Sequence, residues 1–82
     1  MDSHEFRAQV DAVGRSVIGE DTVRIIFTDG ESHVVQTWTI WERGSDFVEY
    51  LDVHMETDAP KIRMPYRVIA RVEPYDQRKQ TP

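Results

Sequence analysis

Residues 61–74, KIRMPYRVIARVEP, decide how the sequence divides into strands. At the two-residue period of a β-strand, one parity of this stretch is mostly apolar and the other carries Arg63, Arg67 and Arg71. Pro65 has no amide hydrogen for a strand ladder, so the stretch is predicted to split. We expect a strand at about 61–64, a tight 3₁₀-like turn at 65–67 and a closing strand at about 68–73. This split would turn Arg63 away from the other two arginines.

Three further strands are predicted upstream. Residues 22–28, TVRIIFT, are rich in β-branched side chains, and Asp29-Gly30 predicts a tight two-residue hairpin turn after them. The second strand, at about 32–41, is apolar on both parities, which indicates that it is covered on both sides or bends. The third strand is predicted at 47–55. Glu49 interrupts its apolar parity and predicts a bulge or a strand end nearby.

A short amphipathic helix is predicted at the start of the chain, over about residues 3–13. Asp2 and Glu5 have the spacing of a capping box, Phe6 and Val10 recur at helical spacing, and Gly14 is a stop signal. We expect the helix to cover one end of the sheet, with a partner-binding helix as the alternative. The chain is predicted to be a single domain over residues 1–82, with its β-structure at about 17–74 and a frayed tail at 75–82.

Composition excludes several classes of protein. The 82 residues suffice for one small core, and the absence of cysteine excludes disulfides, zinc–thiolate sites and thiol catalysis. A cytoplasmic location is expected, and there is no apolar run long enough to span a membrane. The net charge of −5 is uneven, because residues 1–60 hold four basic and thirteen acidic residues, while residues 61–82 hold six and two.

The predicted order of elements is similar to a known class of small β-barrel. A helix at 6–13, a first strand and glycine turn at 26–30 (IFTDG), and a last strand at 69–74 (IARVEP) resemble the layout of the Sm-like family, which includes bacterial RNA chaperones. The resemblance implies a mainly β fold with one N-terminal helix, in which a five-stranded, strongly bent antiparallel sheet forms an SH3-like or Sm-like barrel. It also implies possible ring formation through edge strands.

The same resemblance does not extend to the RNA-binding pore of that family. Its members carry a Tyr-Lys-His run just before the final strand, where this chain has Pro65, Tyr66 and Arg67. The uridine-binding chemistry of the pore is therefore not implied for this chain.

The candidate binding residues are Arg63, Tyr66, Arg67, Arg71 and Trp41. Arginine guanidinium groups match phosphate or carboxylate oxygens, so the three arginines indicate contact with nucleic acid or an acidic protein. The alternative is that they pair with Glu49, Asp52 or Glu56 on a neighbouring strand. Trp41 is a contact residue if it is exposed and a core residue if it is not.

No pattern in the sequence indicates an enzyme, a metal site or a cofactor. The three histidines are too scattered for a metal motif, and no phosphate-binding loop or nucleophile motif is present. We expect a non-enzymatic interaction module, a regulatory or accessory factor that binds a protein partner or itself. The alternatives are an Sm-like RNA or DNA binder, which the pI near 5.0 disfavours, and an acidic mimic of nucleic acid.

Overall fold

One N-terminal helix and five antiparallel strands in a single sheet make up the part of the chain that the structure describes. This computed structural model describes residues 1–16, 22–42, 44–55 and 58–75, with only the backbone for 14–16. The elements are α1 (Ser3–Ser16), β1 (Thr22–Phe27), β2 (Ser32–Trp41), β3 (Phe47–Asp52), β4 (Ile62–Pro65), a 3₁₀ turn (Tyr66–Val68) and β5 (Ile69–Pro74). The mainly β class is confirmed. The predicted tail beyond residue 75 lies outside the described residues.

The strand order is β4-β3-β2-β1-β5, so the two strands on either side of the 3₁₀ turn lie at opposite ends of the sheet. The predicted split at Pro65 is confirmed, because β4 ends at Pro65 and the turn begins at the next residue. The sheet is not closed by a pairing between β4 and β5 among the described residues.

The described sheet has two irregularities, one in the β1–β5 pairing between Ile26 and Phe27 and one in β2, and the bulge predicted near Glu49 is wrong. Glu49 pairs regularly with Trp41, whereas the register shifts between Val35 and Ile40. Within this segment Thr39 is buried, and its Oγ1 lies 2.8 Å from the carbonyl oxygen of Gln36. A hydroxyl that donates to a carbonyl in this way satisfies a backbone group that the interrupted ladder leaves without its regular partner.

The β1–β2 connection is longer than the two-residue turn that Asp29-Gly30 predicts. Gly30 donates its N–H to the Phe27 carbonyl (3.0 Å), and Phe27 donates its own N–H to the Glu31 carbonyl (2.8 Å). Gly30 has φ of +92°, in the left-handed region. These contacts define a three-residue loop that ends in a glycine bulge, the next most common type of hairpin loop.

Helix α1 begins where the sequence predicts and ends later. The Asp2 carboxylate accepts the N–H of Glu5 at 2.8 Å, which confirms Asp2 as the N-terminal cap. The helix continues to Ser16, past the predicted stop at Gly14, because glycine inside a helix costs only about 1 kcal/mol relative to alanine. The helix packs against β5 and β1 and buries Phe6. Among the described residues, no helix has the length and hydropathy needed to cross a membrane.

The core lies between α1 and one face of the sheet. Its buried residues are Phe6, Val23, Ile25, Phe27, Val35, Val48, Tyr50, Tyr66, Ile69 and Val72.

The third strand is shorter than predicted and ends at Asp52. The N–H of Met55 bonds to the Asp52 carbonyl, so the chain turns there, and Val53 is 38% exposed.

Candidate interaction face

The three arginines of the candidate site do not form one surface. Arg63 lies on β4 and Arg71 on β5, which are the two outer strands of the sheet, and Arg67 lies in the 3₁₀ turn between them. The alternation of an unbroken strand would have aligned all three. The break at Pro65 separates them, as the sequence predicts.

Tyr66 is a core residue in this structure, although the sequence places it among the candidate binding residues. It is 2% exposed, and its ring packs on Phe6 with 5.4 Å between the ring centroids. Burial raises the pKa of the Tyr66 phenol, and the nearby Arg7 opposes this shift. Its hydroxyl oxygen is buried without a hydrogen-bond partner among the described residues. A partner at the surface therefore has no access to the Tyr66 side chain.

Two of the arginines have partners on the sheet. The Arg63 guanidinium lies 3.3 Å from a Glu49 carboxylate oxygen, which is one of the pairings that the sequence predicts as the alternative to a free binding surface. The Arg71 Nε lies 3.0 Å from Glu73 on the same strand. Within the described ranges, Arg67 is exposed and has no ion pair. Exposed pairs of this kind contribute about 0–1 kcal/mol, so they do not prevent a stronger partner from binding.

One row of side chains crosses the outer face of β2, β3 and β4. Trp41 pairs with Glu49, and Glu49 pairs with Arg63. Because Val48 and Tyr50 of β3 point into the core, Phe47 and Glu49 project from the opposite side of the sheet. The sheet therefore brings two candidate residues, Trp41 and Arg63, onto one face.

Two cations on this surface lie over aromatic rings. The Lys61 ammonium is 4.7 Å from the centre of the Trp41 ring, and the Arg63 guanidinium is 4.4 Å from the centre of the Phe47 ring. Each contact falls within the distance at which a cation is attracted to a ring face, and each is worth about 0.5–1 kcal/mol at an exposed site. We call this surface the aromatic–cation face; it consists of Trp41, Phe47, Glu49, Lys61 and Arg63.

The most exposed tryptophan is Trp38, and sequence reasoning did not assign it to a site. Trp38 is 66% exposed, whereas Trp41 is half-buried. Alternation places Trp38 on the parity of Val34 and Gln36, opposite to the fully buried Val35, so its exposure follows from regular alternation. The register shift instead brings Ile40, which has the same parity as Trp38 in the sequence, against the core.

The outer edge of β5 is covered by the helix. The Val72 N–H points away from β1 and donates to the side-chain oxygen of Gln9 on α1, at 2.8 Å. The strand then ends at Pro74, which has no N–H. The helix and the proline thus occupy the places where a strand from another chain would pair with β5.

The outer edge of β4 offers few donors. Tyr66 donates its N–H to the Asp46 carbonyl at 3.0 Å, so the alternation of an antiparallel ladder directs the backbone of Arg63 and Pro65 outward. Pro65 has no N–H, which leaves the Arg63 N–H as the outward donor between Ile62 and Pro65. Both outer strands therefore have features that disfavour the edge-strand pairing expected from the sequence.

A histidine–tyrosine pair lies where the β1–β2 loop meets the core. The Tyr50 hydroxyl is 2.6 Å from Nδ1 of His33, and the His33 ring lies edge-on to Phe27 at 5.0 Å. Burial, with a smaller contribution from the Asp52 carboxylate, raises the pKa of the Tyr50 phenol above its ordinary value. Tyr50 is thus a neutral hydroxyl at physiological pH. In the described part of the chain, no three histidine or acidic residues form a group able to hold a metal ion.

Comparisons with known proteins identify no relative of this chain. No family model matches the chain, and neither the curated proteins nor the solved structures that were searched contain a significant match. The resemblance to the Sm-like family stays a prediction.

Proposed function

We propose that this chain is a small non-enzymatic interaction module, built as an SH3-like or Sm-like barrel, that binds a protein partner through the aromatic–cation face. The helix followed by five antiparallel strands, with a 3₁₀ turn between β4 and β5, supports the barrel assignment. We place it in the cytoplasm as a regulatory or accessory factor.

The observation that carries this proposal is the pair of cations held over Trp41 and Phe47. Aromatic residues and arginine are enriched at the centres of protein interfaces. Aromatic side chains bury a large area at a small cost in side-chain entropy, and the arginine guanidinium offers five hydrogen-bond donors. Two cations and one carboxylate give the face a net positive charge in an acidic chain. The partner that fits the face presents carboxylates beside an apolar surface.

Partner binding is tested by comparing two charge removals. The double variant Lys61→Ala/Arg63→Ala removes both cations from the face, and the matched control Arg67→Ala removes an exposed arginine that lies over no described ring. Partners recovered by affinity capture from cell extract are purified and titrated against each variant by calorimetry. We expect the double variant to weaken binding by at least about tenfold, and the control to weaken it less than about twofold.

Two results would contradict the proposal. One is equal binding by the double variant and the control. The other is a wild-type protein that sedimentation equilibrium shows to be monomeric and that captures no partner. Thermal unfolding of each variant shows whether it is folded before its binding is interpreted.

Nucleic acid binding is the second candidate, and the exposed Arg67 is the observation that favours it. The separation of Arg63 from Arg71 weighs against a continuous phosphate-binding surface. Fluorescence anisotropy with labelled single-stranded RNA and duplex DNA at low salt tests it directly. Binding that weakens steeply with salt and is lost in Arg67→Glu would replace the protein-partner proposal. Capture of a basic nucleic-acid-binding protein by the acidic residues 1–60 would instead indicate a nucleic-acid mimic.

A further inference from the structure

A cleft opens between the β1–β2 loop and the end of β4. Its volume is about 440 Å³, near the lower end of the range of small-molecule sites. Its walls include Phe27, Asp29, Glu31 and His33 from the β1–β2 hairpin, and Met64 and Val68 from β4 and the 3₁₀ turn. The cleft shares no residue with the aromatic–cation face.

The inner wall of the cleft is apolar and held in place. Phe27 belongs to the core, and Met64 and Val68 are half-buried and pack against it. The His33 ring is positioned on one side by the buried Tyr50 hydroxyl and on the other by its edge-on contact with Phe27. A ligand that enters the cleft therefore finds a preformed wall, and little binding free energy is needed to order it.

The mouth of the cleft is negatively charged. Asp29 and Glu31 are both exposed, and neither lysine nor arginine is among the described lining residues. One carboxylate oxygen of Asp29 accepts the Glu31 N–H at 2.9 Å, which holds the loop that carries the two acids. A further hydrogen bond, from the Thr28 N–H to the Val68 carbonyl at 2.9 Å, ties the loop to the 3₁₀ turn.

We propose that this cleft binds a protonated amine carried on a short apolar chain. The apolar part lies against Phe27, Met64 and Val68, and the ammonium group lies between the Asp29 and Glu31 carboxylates. Carboxylates at the mouth disfavour an anion, and the apolar wall disfavours a fully hydrated inorganic ion. A lysine side chain of a peptide and a free alkylamine share this chemistry. The site is independent of the aromatic–cation face, so either one can fail without the other.

The test is a titration followed by ¹H–¹⁵N NMR, with n-butylammonium as the probe. Its uncharged analogue, 1-butanol, tests whether the positive charge matters, and lysine capped at both ends tests the peptide source. We expect butylammonium to shift the amide signals of Gly30, Glu31, His33 and Val68 and to bind more tightly than butanol. Tighter binding of capped lysine than of butylammonium assigns the site to a peptide side chain, and the reverse assigns it to a free amine.

Two variants separate the cleft from the general acidity of the chain. Asp29→Asn/Glu31→Gln removes both charges, and asparagine keeps the oxygen that accepts the Glu31 N–H. Asp58→Asn removes an exposed acid that does not line the cleft. We expect the double variant to weaken binding of butylammonium about 3- to 10-fold, and Asp58→Asn to change it less than about twofold. Absent shifts, shifts outside the cleft, equal binding of butanol, or equal weakening by Asp58→Asn would each overturn the proposal.

Discussion

Replacing Tyr66 with phenylalanine is expected to stabilise the protein. The Tyr66 hydroxyl is buried without a partner in the described part of the chain, and an unpaired buried hydroxyl costs about 1–3 kcal/mol in proteins. The oxygen makes a few van der Waals contacts worth about 0.1–0.2 kcal/mol each, which the variant loses. The net gain in the free energy of unfolding is about 1 kcal/mol, or about 4–8 °C in Tm for a domain of this size.

The matched control is Tyr50→Phe, which removes the same atom from a hydroxyl that is hydrogen-bonded. Tyr50 is 2.6 Å from Nδ1 of His33, so its loss is expected to destabilise the fold by about 1 kcal/mol. Urea unfolding followed by circular dichroism measures both variants, and unchanged m-values show that the comparison is one of stability. If Tyr66→Phe destabilises the protein as much as Tyr50→Phe, the Tyr66 hydroxyl has a hydrogen-bond partner and the reasoning is refuted.

Three further results are expected. Because burial raises the pKa of Tyr50 and Tyr66, the folded state keeps protons that the unfolded state releases above about pH 10. Stability therefore falls as pH rises above 10, by up to about 1.4 kcal/mol per pH unit for each tyrosine, and Tyr→Phe variants reduce this slope in urea unfolding at pH 9–11. Gly30→Ala is expected to lower the free energy of unfolding by about 1 kcal/mol, because Gly30 has φ of +92° and no atom lies within 4 Å of the added Cβ to add a clash. Asparagine tolerates this backbone conformation better than alanine, so Gly30→Asn should cost less than Gly30→Ala in thermal unfolding. Asp2→Ala removes the helix cap and costs about 1 kcal/mol, whereas Asp2→Asn costs a few tenths.

Local rules predicted most of the fold because each acts within a few residues. Asp2 caps the helix through a contact three residues away, and Pro65 ends a strand because it has no N–H. The order and type of the elements follow from such signals. The details that differ depend on neighbours distant in sequence. The β2 register shift is set by pairing with β3, and it lets Val35 and Ile40, which have opposite parities in the sequence, both contact the core.

The candidate site was harder to predict for the same reason. Trp41 and Arg63 come together only because both flank Glu49 in the sheet, and no local pattern specifies that arrangement. Tyr66 shares a parity with apolar residues in the sequence, and that signal correctly indicated a core position. The choice of Tyr66 as a candidate binding residue did not follow that signal. The cleft between the β1–β2 loop and β4 joins residues more than thirty positions apart, which the sequence alone does not bring together.

The hydrogen bond from the Val72 N–H to the Gln9 side chain lets the docked helix disfavour pairing of β5 with another molecule. While α1 is docked, the backbone of β5 has an intramolecular acceptor for an amide that would otherwise be available to a neighbouring molecule. If the helix detaches transiently, that amide and the adjacent apolar surface become available together, and assembly into mixed sheets then depends on protein concentration. The fraction of molecules in which the helix is detached would therefore set how concentrated this protein can become before it aggregates.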